Sequence, residues 1–380
     1  MGTQLGIGFK SGIDRSSKIL SYRDRQLGTS WWDLSVRYSD NSDGRLGQFS
    51  LEHPFYALDT RHAGGLVVED DRRVDSRYDL GRIVDQYETS ARMATAYWGI
   101  SKGLREGWAT RWSTGITYDD HTFTTAPGSA VPLLVPNDRR LLYPWVAVEM
   151  IEDDFRTARN RDQIEKTEDY ALGWRSRLQM GYATDALASD RSALMFDGIL
   201  SNGLELAERH TLLVNAHANG RLESGSLAGT VVGGEARYYF RQSAHRLLFL
   251  NIIADVGTNL DLDRQVLLGG DNGLRGYPLR YQAGTGRWLF TAEQRLFTDW
   301  YPFRLFNVGG AVFYDMGRTW GRDPLGSAPQ GVLKDLGFGL RLGGNRSAQG
   351  NVLHIDVAFP LDGDASIKNL QFLLETKRRF

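Results

Sequence analysis

The chain has 380 residues, a net charge of −1 and no cysteine, which removes disulfide frameworks and thiolate metal sites and gives no global attraction for nucleic acid. Glycine (43 residues) and aromatics (11%) exceed ordinary usage while mean hydropathy is −0.37, and no apolar run approaches the ~20 residues of a membrane-spanning helix. The longest such run, LLFLNIIADV, is broken by Asn251 and Asp255, and the opening MGTQLGIGFK lacks a charged segment followed by an apolar core, so no signal peptide is read there.

Strand-length runs begin at once, at 4–11, 17–24, 30–39 and 46–56. In the third, Trp32, Leu34, Val36 and Tyr38 share one face and Asp33, Ser35, Arg37 and Ser39 the other. Further runs lie at 61–70, 87–100, 108–121 and 142–156, with polar stretches at 73–85 and 124–140 reading as outer loops. The next are 168–183, 192–205, 210–221, 229–241 and 245–258, where Leu248, Leu250, Ile252 and Val256 alternate with Asn251 and Asp255. After a glycine-rich stretch come 287–298, 306–320, 334–344, 350–361 and 368–380, which makes eighteen candidates. SDNSDG (39–44) and LGGNRSAQG (342–350) read as turns, no long amphipathic helix or fixed-length repeat is visible, and no composition shift divides the chain, so one domain is expected.

The polar face of these runs mixes arginine, acids and glycine, and the apolar face is rich in Trp, Tyr and Phe near the strand ends. Aromatic girdles around a charged, water-filled interior produce that pattern, and a strand alternating lipid-facing with lumen-facing residues averages to polar. The reading is all-β, an antiparallel up-and-down transmembrane barrel, with a soluble all-β fold as the alternative.

The glycine-rich stretch is LLGGDNGLRGYP, residues 267–278. A phosphate-binding loop should lead from a strand into a helix N-terminus, and here an alternating strand follows, so no nucleotide cofactor is read. The seven histidines show no paired ligand spacing, Asp119–Asp120 and Asp153–Asp154 are adjacent and fall on opposite strand faces, and no nucleophile motif is present. No catalytic or metal site is indicated.

LLGGDNGLRGYP resembles the GG…(V/L)RG(F/Y) signature of the BamA/TamA superfamily, the outer-membrane assembly factors and two-partner secretion transporters. AEQRLF (292–297) is similar to the E-x-R strand that follows that loop and AVFYDMGRTW (311–320) to the F-x-D-x-G strand, while GIGFKSG, LGTSWW and LEHPFY are similar to the first four strands. Five candidates follow the loop, as in the family. Thirteen precede it where the family has eleven, so the resemblance implies sixteen strands and the count from the sequence allows eighteen.

The resemblance implies that the loop carrying Leu274, Arg275, Gly276 and Tyr277 folds into the lumen and that Arg275 meets Glu293 and Asp315 on the inner wall. Alternation permits this. With Asp315 inward, Asn307, Gly309, Ala311 and Gly317 also face in, and Val308, Val312, Tyr314 and Met316 face lipid; with Glu293 inward, Trp288, Phe290 and Leu296 face out. The terminal run, with Leu370, Phe372 and Leu374 on one face and Phe380 at the end, resembles the C-terminal barrel signal. Gly6 and Gly8 in the first strand are compatible with a weak seam between first and last strands.

By the same resemblance the expected place is the bacterial outer membrane, with lipid and lipopolysaccharide around the barrel and a polypeptide client that is inserted or translocated. No enzymatic activity is expected. A strand begins within the first few residues, so any periplasmic domain or accessory module is expected outside this chain. An anchor or export pore for such a domain, and a plain diffusion porin, are the alternatives.

Overall fold

A computed structural model describes residues 2–128, 132–328, 331–344, 351–364 and 366–377. The alternating runs become long strands, because a segment apolar on one face and polar on the other is satisfied by a sheet with different surroundings on its two sides. The first eight are β1 (Thr3–Ser11), β2 (Ser16–Asp24), β3 (Asp33–Asn41), β4 (Gly44–His53), β5 (His62–Asp79), β6 (Arg82–Arg105), β7 (Trp108–Thr125) and β8 (Arg139–Glu152). A short pair follows, β9 (Phe155–Arg159) and β10 (Thr167–Ala171), then β11 (Arg175–Ala183), β12 (Ala193–Ala207), β13 (His210–Glu223), β14 (Ser226–Arg241) and β15 (Arg246–Thr258). A second short pair, β16 (Val266–Leu268) and β17 (Gln282–Gly284), precedes β18 (Gly286–Phe297), β19 (Phe306–Trp320), β20 (Leu333–Gly344), β21 (Val352–Pro360) and β22 (Gln371–Lys377).

Eighteen of these form one antiparallel sheet in which each strand pairs with the next, β8 passing directly to β11 and β15 directly to β18. The short pairs stand apart as two-stranded sheets. Among the described residues the wall therefore has eighteen strands, the number counted in the sequence, and not the sixteen implied by the resemblance: none of the thirteen upstream runs is half of another. Among the described residues, β1 and β22 are the two ends of this sheet. A flat sheet of that size would be about 80 Å wide at ~4.8 Å per strand. Yet Arg280, in the β15–β18 connection, pairs with Asp14 beyond β1, and Tyr281 bonds Asp364 just before β22. The sheet is curled round on itself as an up-and-down barrel with the 259–285 connection inside it.

Three stretches depart from the expected boundaries. Residues 73–85 are not a loop: β5 and β6 continue through them, paired from Arg73↔Thr89 to Asp79↔Arg82 around the turn Leu80–Gly81, whose residues have φ of 49° and 74°. Two left-handed central residues match the twist of a hairpin. The stretch is polar on both faces because it rises beyond the wall and meets other connections, Arg77 pairing with Asp323 (2.7 Å) and donating to the Leu262 carbonyl. The run 168–183 is also two elements, since β10 belongs to an inward hairpin and β11 to the wall, with Leu172–Gly173 between them. Likewise 142–156 ends as wall at Glu152, and its last residues start β9.

Candidate functional site: the lumen loop and its charged wall

The connection between β15 and β18 carries its own scaffold. β16 and β17 pair from Val266↔Gly284 to Leu268↔Gln282 and form a stem. Beyond it Gly269 N–H donates to Asn272 Oδ1 (2.6 Å) and Asn272 Nδ2 to the Leu267 carbonyl (3.2 Å), so one side chain fixes the bend that local backbone bonding leaves open. Leu274 N–H then bonds the Gly269 carbonyl and Tyr277 N–H the Leu274 carbonyl, closing a tight turn over 274–277. Leu268, Leu274, Tyr277 and Tyr281 bury against Leu289, Leu333 and Ile367, which seats the loop on β18, β20 and the approach to β22.

Arg275 stands at the tip and is buried. Its Nε and Nη2 donate to Asp315 Oδ2 and Oδ1 at 2.7 and 3.0 Å, and its Nη1 donates to Glu293 Oε2 at 2.8 Å. The planar fork engages one carboxylate with two nitrogens and the second with a third, which an ammonium cannot do. The guanidinium also lies 3.4 Å from the centre of the Phe313 ring. Burial works against the charge, but the fields of Asp315 and then Glu293 overcome it and hold Arg275 above its ordinary value.

Gly276 is required by space, since a Cβ there would sit 2.4 Å from Asp335 Cβ and 3.1 Å from the Pro360 nitrogen. Tyr277 extends the seat: its phenol oxygen is 2.8 Å from the Lys334 carbonyl and 3.1 Å from that of Asp362, and it accepts the Lys334 N–H at 3.1 Å. Burial pushes this phenol up to about 12, so it stays a neutral donor.

The wall beneath the tip is a larger charged lattice. Glu293 Oε1 accepts from Arg295 Nε at 2.8 Å, Arg341 lies 3.5 Å from Glu293 and pairs with Asp356, and Asp356 lies 3.9 Å from Arg275. Asp335 faces Asp315 across the β19–β20 ladder, both fully buried. Small residues make this possible. A Cβ at position 339 would be 2.7 Å from Arg341 Nη1 and would overlap Asp356, one at 337 would be 2.5 Å from Phe313, and one at 317 would be 3.1 Å from Leu268 of the loop.

An eighteen-strand meander that folds the connection before its last five strands into its own lumen is a specific topology. The fold is similar to that of a solved BamA barrel. Among solved structures the chain is similar to "BamA from Haemophilus ducreyi lacking POTRA domains 1-3", at 13% identity and a TM-score of 0.52, over 99% of this chain and 75% of that one. It also aligns with "CdiB from Acinetobacter baumannii", at 12% identity and a TM-score of 0.47, over 98% of this chain and 58% of that one. No protein-family model matches the sequence, and no curated protein does.

Within this fold the structure brings Leu274, Arg275, Gly276, Tyr277, Glu293 and Asp315 together. The seam and terminal residues lie elsewhere. Gly6 and Gly8 are in β1, which pairs with β2 without interruption from Thr3↔Asp24 to Ser11↔Ser16, so they do not break that ladder. Phe372 and Leu374 face outward from β22 and are 64% and 61% exposed, and Phe380 lies outside the described residues. Val312, Tyr314 and Met316 face away from Asp315, but Val308 is buried: the chain returning from β18 folds over it, Val308 N–H bonding the Trp300 carbonyl.

Several lattice members escaped the sequence. Arg295 lies two residues from Glu293 and so shares its face, and the inward positions of β20 and β21 read Asp335-x-Gly-x-Gly-x-Arg341 and His354-x-Asp356. Charge alternating with glycine on one face was the available signal. A second inward element, the β9–β10 hairpin, also ends in this lattice: Asp162 Oδ1 accepts from Arg295 Nη1 at 3.1 Å.

Proposed function

We propose that this chain is a barrel of the bacterial outer membrane that handles polypeptides, inserting or translocating them, with its outer surface in contact with lipid and lipopolysaccharide. The observation that carries the reading is the burial of Arg275 between Asp315 and Glu293, which fixes an inward loop in a barrel whose first and last strands are the ends of its sheet. In hydrocarbon each unpaired backbone group costs several kcal/mol, so the β1 and β22 edges are the sites most ready to accept another strand. Their outward side chains suit lipid: Leu5, Ile7 and Phe9 on β1 are 74%, 77% and 81% exposed, and Phe372 and Leu374 continue that surface on β22.

In this role no bond is made or broken. The barrel offers a strand edge and a confined, charged lumen, and upstream or accessory periplasmic modules deliver the client. A diffusion porin fits less well, since two chain segments occupy the lumen. The experiment is a set of cysteine pairs, one cysteine in 4–11 and one in 371–377, screened for disulfide formation in liposomes loaded with an unfolded outer-membrane barrel as client. The oxidised pair should abolish client insertion or passage and reduction should restore it. Undiminished activity in the locked form rejects the gate.

A further inference from the structure

Most of residues 153–173 is not needed to pair the wall strands, although Leu172 bonds Asn202 and Gly203 of β12. β8 pairs directly with β11, Ile151 opposite Arg175, and Glu152 N–H bonds the Trp174 carbonyl, so a two-residue turn of the kind that joins β6 to β7 would complete the ladder. Instead the chain leaves the wall, forms the β9–β10 hairpin and crosses the lumen to strands β14–β21. It comes from the mouth where β1 begins and β22 ends, opposite to the mouth from which the Arg275 loop descends, because β8 and β22 run toward that mouth and β15 runs away from it.

The tip holds its own shape. Glu168 Oε1 accepts the N–H groups of Arg161, Asp162 and Gln163 at 3.1, 3.0 and 2.9 Å, and Asn160 and Glu165 bond each other through side chain and backbone at 2.6 Å. A tip folded by its own residues can leave its seat as a unit. The stem is solvated, with Phe155, Arg156, Thr157 and Arg159 exposed.

Several contacts hold the tip to the wall, among them Arg241 Nη2 donating to the Arg159 and Asn160 carbonyls at 2.6 and 2.5 Å, Arg295 Nη1 donating to the Arg161 carbonyl at 2.7 Å and the Tyr239 hydroxyl donating to Asp162 at 3.3 Å. The Ile164 side chain fills a socket formed by Tyr239, Leu247, Phe249, Phe297 and Val352, and its carbonyl accepts from Asn307 at 3.2 Å. The Arg161 guanidinium lies between two rings, Tyr170 of the hairpin (4.1 Å) and Tyr239 of the wall (3.9 Å). Asp162 meets Arg295, which binds Glu293, which binds Arg275, so a continuous line of charge pairs joins the two inward elements. Apart from the Ile164 side chain, these contacts are made by polar groups that water can replace when the tip withdraws.

We propose that the β9–β10 hairpin is a releasable stopper of the lumen, latched by Asp162 on Arg295 and by Ile164 in its apolar socket, and cross-braced to the Arg275 loop. The stopper acts on the lumen and uses no part of the seam, so its tests are independent of the gate.

The full chain carrying I164C is treated with a membrane-impermeant maleimide in detergent micelles, with and without D162N. Slow labelling in the single variant and severalfold faster labelling in the double variant are expected; equal rates overturn the latch. In planar bilayers, replacing 153–173 by Asn-Gly should raise conductance severalfold. The I164C/G343C pair should suppress openings when oxidised and release them when reduced. Ile164 Cβ is 3.2 Å from where a Cβ on residue 343 would lie, near the roughly 3.8 Å of a disulfide. Equal conductance of the shortened and native chains, or openings that ignore the redox state of the pair, overturn the stopper.

Discussion

Arg275 and Asp315, forty residues apart, are joined by two hydrogen bonds of 2.7 and 3.0 Å in a space where the aspartate has no exposed surface. Truncating one partner of such a pair leaves a buried, uncompensated charge. Arg275→Ala should destabilise the barrel by about 3–5 kcal/mol, read as a lower urea midpoint for loss of the compact band on semi-native gels. It should also make 259–285 protease-sensitive. Arg275→Lys keeps the charge but loses the fork, so it should fall between the wild type and the alanine variant.

Asp315 and Asp335 face each other across the same ladder, yet only Asp315 is engaged by the arginine fork. Two like charges confined together oppose each other. Asp335→Asn should therefore be neutral or stabilising, and Asp315→Asn should cost more than about 2 kcal/mol through loss of a charged hydrogen-bond pair. Urea midpoints of the two variants check the order, and equal losses would contradict it.

Gly276 has no room for a methyl group, since the nearest obstacles are Asp335 Cβ and the backbone of Pro360. Gly276→Ala should displace the tip, cost roughly 1–3 kcal/mol as an overpacked site and reproduce part of the protease sensitivity of Arg275→Ala. Gly344→Ala, where a Cβ meets nothing within 4 Å, is the matched control.

Near the end of β13, Arg221 grips Asp261 of the β15–β18 connection with two nitrogens at 2.7 and 2.6 Å. Burial alone would raise the Asp261 carboxyl, but the hydrogen bonds and charge of Arg221 override it and its value is lowered. A depressed folded value contributes stability that is present above the ordinary carboxylate range and is lost as pH falls through the lowered value, below about 4. Protease sensitivity of 259–285 should rise in that window, and Asp261→Asn should remove this part of the pH dependence.

The wall was legible because its physical signal is strong: one face is apolar and the other polar, so period-2 alternation marked all eighteen strands, although ends of β5, β6 and β11 were missed by five to nine residues. Glu293 and Asp315 were legible as inward by the same parity. The β9–β10 hairpin was not, because its arms alternate like wall strands and only the bend at Leu172–Gly173 separates β10 from β11. The 73–85 stretch was misread for the converse reason: polarity marks a loop only where the alternative is a strand with an apolar outer face, and β5 and β6 there rise clear of the wall. Arg341 and Asp356 looked like ordinary lumen charges, because what makes them special is mutual burial across strands, which a linear pattern does not display.

The ties made by the inward loop also set an order of assembly. Asp14 and Arg280 are separated by 266 residues along the chain, and Tyr281 reaches Asp364, sixteen residues from the C-terminus. Contacts this remote form late and slowly, because so much chain must first be brought into place. Until its last strands are synthesised the protein has no finished interior, so a nascent or truncated chain must keep Arg275 and its acids in water.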